Sequence, residues 1–280
     1  KVVADKGKEA ETAKMEVAKA VGLMESSSPL SDVLEELLQE ESPEVSRYAM
    51  ESVARLKRKE YIPALIDKLK NPVIREDAGS ALEKFGSKIV GTLADYLADD
   101  EEDIEVRKEA ASVLARLGSQ EAAELLSWEL AEEKEEVERE IIDALDRIRF
   151  ESQDVEFSSG IIKTVIARKV KKYCQSFLNL HESKSRKKSK DQTESQTRVL
   201  SECLSEIFKL LELIYSREDI VRAFQNVRSG TKDSVAYAVE LLDNILEKEI
   251  KEIILPLIED MPYEERWRRC SSLLKNFPEL

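Results

Sequence analysis

The sequence predicts an all-α solenoid, a right-handed superhelix of stacked antiparallel helix pairs. Three observations carry that prediction. Charged residues make up 36% of the 280 positions and aromatics 6%. Gly and Pro number 8 and 7, too few for the turns of a strand-rich chain, whereas Leu and Ala are plentiful. Finally, an arginine recurs at Arg47, Arg75, Arg107 and Arg139, at steps of 28, 32 and 32 residues, each time inside a similar apolar pattern.

The pattern aligns VSRYAMESVARL (45–56), VIREDAGSALEKF (73–85), EVRKEAASVLARLG (105–118) and VEREIIDALDRI (137–148). Three residues past each Arg stands Met50, Ala78, Ala110 or Ile142, and seven past it Ala54, Leu82 or Leu114. Asp146 breaks the last step, where Leu145 substitutes. These positions share one helix face. A second helix follows in the first three units, marked by Leu65, Leu93 and Leu125, each 18 residues after its Arg. Gly86 and Gly118 end first helices, as Gly does at a C-terminal cap. Pro63 suits the first turn of a second helix, where its missing N–H costs nothing. A degenerate earlier unit spans 8–40, with the turn SSSPLSD between helices near 8–24 and 30–40. The acids of ADDEED (98–103) read as the approach to a helix N-terminus, where negative charge is favoured; the run lacks the alternating ligands and glycine of a calcium loop.

Helix pairs repeating every ~30 to 45 residues, with an Arg early in the first helix, resemble HEAT repeats. Residues 1–149 are therefore read as HEAT-like repeats. Residues 150–198 interrupt the period. IIKTVIARKVKKYCQSFLNL (161–180) reads as a basic amphipathic helix, and HESKSRKKSKDQTESQTR (181–198) as a polar mobile loop unable to form a core. Residues 199–280 return to HEAT-like pairs. VLSECLSEIFKLLELIY is a strong helix, and Ser216 is placed to N-cap the next. In SVAYAVELLDNILEKEIKEIILPLIED (234–260), Leu242 and Ile253 stand 11 apart, the spacing of Ala54 to Leu65, Leu82 to Leu93 and Leu114 to Leu125.

The order ALDRIR (144–149), KKYCQSFLNL (171–180), EIFKLLELIYSREDIVRAF (206–224), AVELLDNIL (238–246) and IILPLIED (253–260) resembles the soluble C-terminal HEAT-repeat region of certain bacterial membrane proteins. Their membrane part is similar to ATP/ADP translocases, within the major-facilitator type of transporter. The resemblance covers about 137–277. It implies a cytoplasmic helical module attached to a transporter-like membrane domain, and it transfers no catalytic or ligand-binding residue. The Lys- and Ser-rich stretch at 181–198 departs from it.

The remaining features narrow the function classes. Lys and Arg total 44 against 58 Asp and Glu, a net charge of −14, which repels a phosphate backbone, so no nucleic-acid partner is expected. Cys174, Cys203 and Cys270 are widely spaced and odd in number, so they read as reduced thiols in or near the core, consistent with a cytoplasmic location. His181 is the one histidine, so the usual zinc ligand set cannot be assembled. No cofactor and no metal are expected. The longest apolar run, IILPLI (253–258), falls far short of the ~18 residues of a membrane span. The chain starts KVVADKGKEA without Met, as expected of a piece of a longer protein.

Two groups of residues are candidate surfaces. Arg47, Arg75, Arg107 and Arg139 could form a recognition stripe, but Glu44, Glu76, Glu105 and Glu136 near them favour a structural ladder between repeats. Lys163, Arg168, Lys169, Lys171 and Lys172 could meet an anionic membrane surface or a partner, each adding on the order of 1 kcal/mol near lipid; a solvated helix face is the plainer alternative. KSRKKSK (184–190) reads as linker in so acidic a chain. Trp128 and Trp267 read as packing residues. The expectation is a non-catalytic interaction, scaffold or regulatory module on the cytoplasmic side of a membrane, binding protein partners or the adjoining membrane domain of its own chain. The alternatives are a HEAT-like enzyme of bilin-lyase or DNA-glycosylase type, or a lipid-surface adaptor.

Overall fold

Windows rich in Ala, Leu, Glu and Lys, with apolar side chains every third or fourth position, fold here into helices whose apolar faces need neighbours. The computed structural model describes residues 7–24, 32–132, 135–185, 190–275 and 277, without the side chains of 181–194 and 196. Fifteen α-helices and three short 3₁₀ turns account for most of them, and no strand occurs among the described residues. The helices fall into two compact units, Lys1–Glu129 with Lys134–Ser152, and Leu130–Glu133 with Gln153–Leu280.

In the first unit the helices are α1 (Lys8–Gly22), α2 (Asp32–Leu38), α3 (Pro43–Leu56), α4 (Ile62–Asp67), α5 (Arg75–Glu83), α6 (Val90–Ala98), α7 (Ile104–Leu117), α8 (Gln120–Ala131) and α9 (Glu135–Glu151). The last residues of α8 cluster with the second unit. Helices α1, α3, α5, α7 and α9 pack in a row, each on the next, while α2 lies on α1 and α3, α4 on α5, and α6 on α7. The repeat positions explain the row. Met50, Ala54, Ala78, Leu82, Ala110, Leu114, Ile142 and Leu145 are each at most 1% exposed, and each fully buried large aliphatic side chain contributes about 1.5–3 kcal/mol. Leu65 and Leu93 are buried as the spacing predicts; in α8 the buried residue is Leu126, and Leu125 is half-buried. The α8 face is thus turned by one residue, because only two residues separate α7 from α8.

Helix ends follow the local sequence. Gly118 terminates α7 at φ 58°, and its N–H reaches the Leu114 carbonyl. Gly86 turns the chain after α5 at φ 65°. Lys57 ends α3 in the same left-handed region, φ 52°, without the freedom of glycine. Asp103, the last acid of ADDEED, N-caps α7 by accepting from the Glu105 N–H at 2.8 Å. Gly22 sits where α1 meets α3 so closely that an added Cβ would lie 2.5 Å from Ser52 Cβ.

The second unit consists of α10 (Ser159–Ser185), α11 (Lys190–Ile214), α12 (Arg217–Ser229), α13 (Lys232–Ile245), α14 (Lys248–Ile258) and α15 (Tyr263–Lys275). Residues 181–185 and 190–198, read from their polarity as loop, are helical and extend α10 and α11 to 27 and 25 residues; 186–189 lie outside the described residues. Polar Lys, Glu, Gln and Ser are compatible with a helix once long partners are packed at its base. Helix α10 packs along α11 and carries α15 on another face, and α12 packs on α13. The pair α13–α14 buries Leu242 and Ile253 completely. Pro256 falls in the final turn of α14, which ends two residues later. Ser216 occupies the N-cap position of α12 but its side chain makes no capping bond.

Candidate functional site

The recurrent arginines take graded positions along the first unit. Arg47 Nε donates to Asp77 Oδ2 at 2.9 Å, and its Nη2 to the Val73 carbonyl at 3.0 Å. Arg75 Nη1 donates to Glu105 at 3.0 Å and Glu109 at 3.1 Å. Arg107 is buried; its Nε donates to the Leu97 carbonyl at 3.0 Å, and its guanidinium pairs with Asp100 at 3.0 Å and Glu136 at 3.7 Å. Each of these three therefore reaches an acid of the following repeat. Arg139 is exposed and carries no ion pair among the described residues. The ladder has three rungs that bridge repeats and a fourth that does not, because no further repeat of the same form follows α9 within this unit.

Between the rungs lie two grooves. One, about 450 Å³, runs between α3 and α5, with Glu44, Glu51 and Asp77 facing Arg47 and Lys84 over Tyr48 and Met50. The other, about 460 Å³, runs between α7 and α9, with Glu105, Glu109, Glu140 and Asp143 facing Arg75, Lys108 and Arg147. Carboxylates outnumber cations in both. Arg75 holds the Glu105 carboxyl below the usual range, with help from Lys108. The grooves exist because small residues, Ser80 with buried Ala81 in one and Ser112 with buried Ala115 and Ala144 in the other, stand where neighbouring first helices meet. Periodicity marks which positions are buried and says little about the space left beside small ones.

The five cations of α10 do not make one exposed basic face. Lys169 is 3% exposed and donates to Glu206 at 2.8 Å. Arg168 donates to the Leu130 and Ala131 carbonyls at 2.7 and 3.3 Å, within the second unit. Lys163 pairs with Glu247 at 2.6 Å, which raises the Lys163 pKa chiefly through that bond. Lys171 is exposed and stands 4.5 Å from the ring centroid of Phe277, and Lys172 is half-buried and engaged. Packing on both α11 and α15 turns part of the helix's polar face inward, which the helix's own sequence cannot reveal.

Other expected positions also shift. Trp128 is 57% and Trp267 39% exposed, so neither is core; both fall on helix faces that their own unit leaves open. The three cysteines are buried and none is in a disulfide. Cys174 and Cys270, 96 residues apart, hydrogen-bond to each other; that contact, with burial, pushes the Cys174 thiol up, and the same contact pulls the Cys270 thiol down against the opposing effect of burial. No group of three His, Cys, Asp or Glu among the described residues could hold a metal ion, and no described helix is long and apolar enough to cross a membrane.

Residues 106–131, which are most of α7 and all of α8, match the family model of the PBS lyase HEAT-like repeat. No curated protein gives a significant match to the chain. That match agrees with the helix-pair packing described above, an all-α fold with HEAT-like repeats.

Proposed function

We propose that this chain is a non-catalytic interaction module whose row of first helices docks a protein partner through the two acidic grooves. The observation that carries it is the division of labour among charges. Arg47, Arg75 and Arg107 are spent on neighbouring repeats, whereas Glu51, Glu140 and Asp143 line grooves in which carboxylates stay in excess. A partner segment with Lys or Arg above a small apolar contact suits such a surface. The net charge of −14 disfavours nucleic acid as that partner. A photo-crosslinking residue at Ser80 or Ser112, in the natural full-length protein within its own cells, should give protein adducts that one at exposed Lys88 does not. Equal adducts at all three positions would overturn this reading.

The second half supports a finer reading, in which the module is the cytoplasmic part of a transporter-like membrane protein and regulates it. The support is the order of motifs from ALDRIR to IILPLIED. The reading frame upstream of Lys1 tests it: several apolar spans are expected there, and a start codon directly before Lys1 would sink it.

The name of the matched repeat model favours one alternative, an enzyme of bilin-lyase type. Incubation with an open-chain tetrapyrrole would then leave the protein with stable visible absorbance, which an interaction module would lack.

A further inference from the structure

The second unit holds a cavity of about 680 Å³ that neither the repeat pattern nor the acidic grooves account for. Its volume lies within the ~300–1,000 Å³ of small-molecule sites. One wall is apolar, from Phe177 on α10, Leu200 and Leu204 on α11, and Phe224 and Val227 on α12. Phe224 is fixed by stacking on buried Phe208, ring centroids 4.6 Å apart.

The polar lining is short of partners. Tyr173 is 6% exposed, yet its hydroxyl has no hydrogen-bond partner in the protein among the described residues. Buried phenols normally find one. Arg266, from α15, gives one Nη to the Glu259 carbonyl at 2.6 Å, while its Nε has no partner and no carboxylate pairs with it. Arg228 at the rim rests 5.9 Å from the Phe224 ring centroid and has no ion pair. The one acid in the lining, Glu202, already accepts from Arg198 at 2.8 Å. An apolar slot with an idle phenol and two unpaired guanidiniums, in a chain of net charge −14, is complementary to an amphipathic anion.

We propose that this cavity binds a carboxylate with an apolar body, whose head accepts from the Tyr173 hydroxyl and the Arg266 guanidinium while the body lies along Phe177, Leu204 and Phe224. The proposal is independent of the acidic grooves and of any membrane attachment. The head could be that of a free long-chain acid or of an anionic lipid in a bilayer, and the structure favours the free acid because the slot is a concavity bordered by four helices.

Calorimetric titration of the protein with monomeric dodecanoate tests it. One site per chain is expected. Dodecanol should bind at least about tenfold more weakly, and Tyr173→Phe should weaken dodecanoate on the order of tenfold, the range of one hydrogen bond to a charged group. Ser201→Trp, at an exposed lining position, should block the slot without disturbing the core. Circular dichroism and thermal unfolding confirm that both variants are folded. Equal affinity for dodecanol, unchanged affinity in Tyr173→Phe or Ser201→Trp, or more than one site per chain would overturn the proposal. Binding to phosphatidylglycerol vesicles with no uptake of monomeric dodecanoate would overturn it too, in favour of a bilayer surface.

Discussion

The Lys169 ammonium donates to Glu206 Oε2 at 2.8 Å, with the two side chains 3% and 15% exposed, between the two longest helices of the protein. Desolvation makes such a pair a weak source of net stability, but stranding one member costs about 3–5 kcal/mol. Lys169→Met should therefore lower the unfolding free energy of the second unit by about 3 kcal/mol, the low end because Glu206 keeps some solvent. The double variant Lys169→Met, Glu206→Met should regain most of that loss. Urea unfolding of the three variants measures it, and a double variant no more stable than the single one would show that charge burial is not the cause.

The arginine ladder should be unequal in energy although it is regular in sequence. Arg47 and Asp77 are 40% and 43% exposed, which limits their pair to about 0.2–1 kcal/mol. Arg107 is 3% exposed and satisfies the Leu97 carbonyl as well as its acids, so Arg107→Ala should cost about 3 kcal/mol. Arg139→Ala, at an exposed and unpaired side chain, should stay within about 0.5 kcal/mol. Thermal unfolding of the three alanine variants ranks them, and similar losses for Arg47 and Arg107 would contradict the graded burial.

The first unit was legible from its residues because its contacts are local. An Arg-to-apolar spacing of three and seven fixes a helix face, and a neighbour 28 or 32 residues on supplies the partner, so Ala78, Leu82, Ala110 and Leu114 are buried as read. Where contacts cross long stretches, the reading failed. Lys169 looked solvated because Glu206 lies on another helix, and Cys174 and Cys270 looked isolated because α10 meets α15 only in the folded chain. Polarity misread 190–198, since low hydropathy excludes a core but not a helix continued from a packed one. The cavity beside Tyr173 draws on four helices and has no sequence signature at all.

Lys57 ends α3 at φ 52°, where a Cβ is strained, whereas Gly118 serves the corresponding end of α7 at φ 58°. Lys57→Gly should raise stability by about 1 kcal/mol, the left-handed penalty it removes. Gly118→Ala should lower it by at least as much, since the new Cβ would also press on Ser152 Oγ at 3.1 Å. Chemical denaturation of both variants tests the sign. A destabilising Lys57→Gly would mean that the lysine side chain outweighs its backbone strain.

Burial pushes the Tyr173 phenol up to about 12, against a smaller opposing pull from Arg266. In the unfolded chain the same phenol titrates near ~10. Between those values the unfolded state has lost the proton that the folded state keeps, so the folded state binds more protons and stability falls as pH rises. Below about pH 10 this group adds no pH dependence. From 10 to 12 it should remove about 1.4 kcal/mol per pH unit, a slope that Tyr173→Phe abolishes. The difference between wild type and Tyr173→Phe in urea midpoints across that window isolates the effect from other tyrosines and lysines. Phenolate absorbance should agree, the variant lacking one tyrosine in the late part of the titration. A bound carboxylate next to the hydroxyl should push that late ionisation higher still. If the variant lost an ordinary early-titrating tyrosine instead, the phenol would be neither buried nor available as the donor the cavity offers.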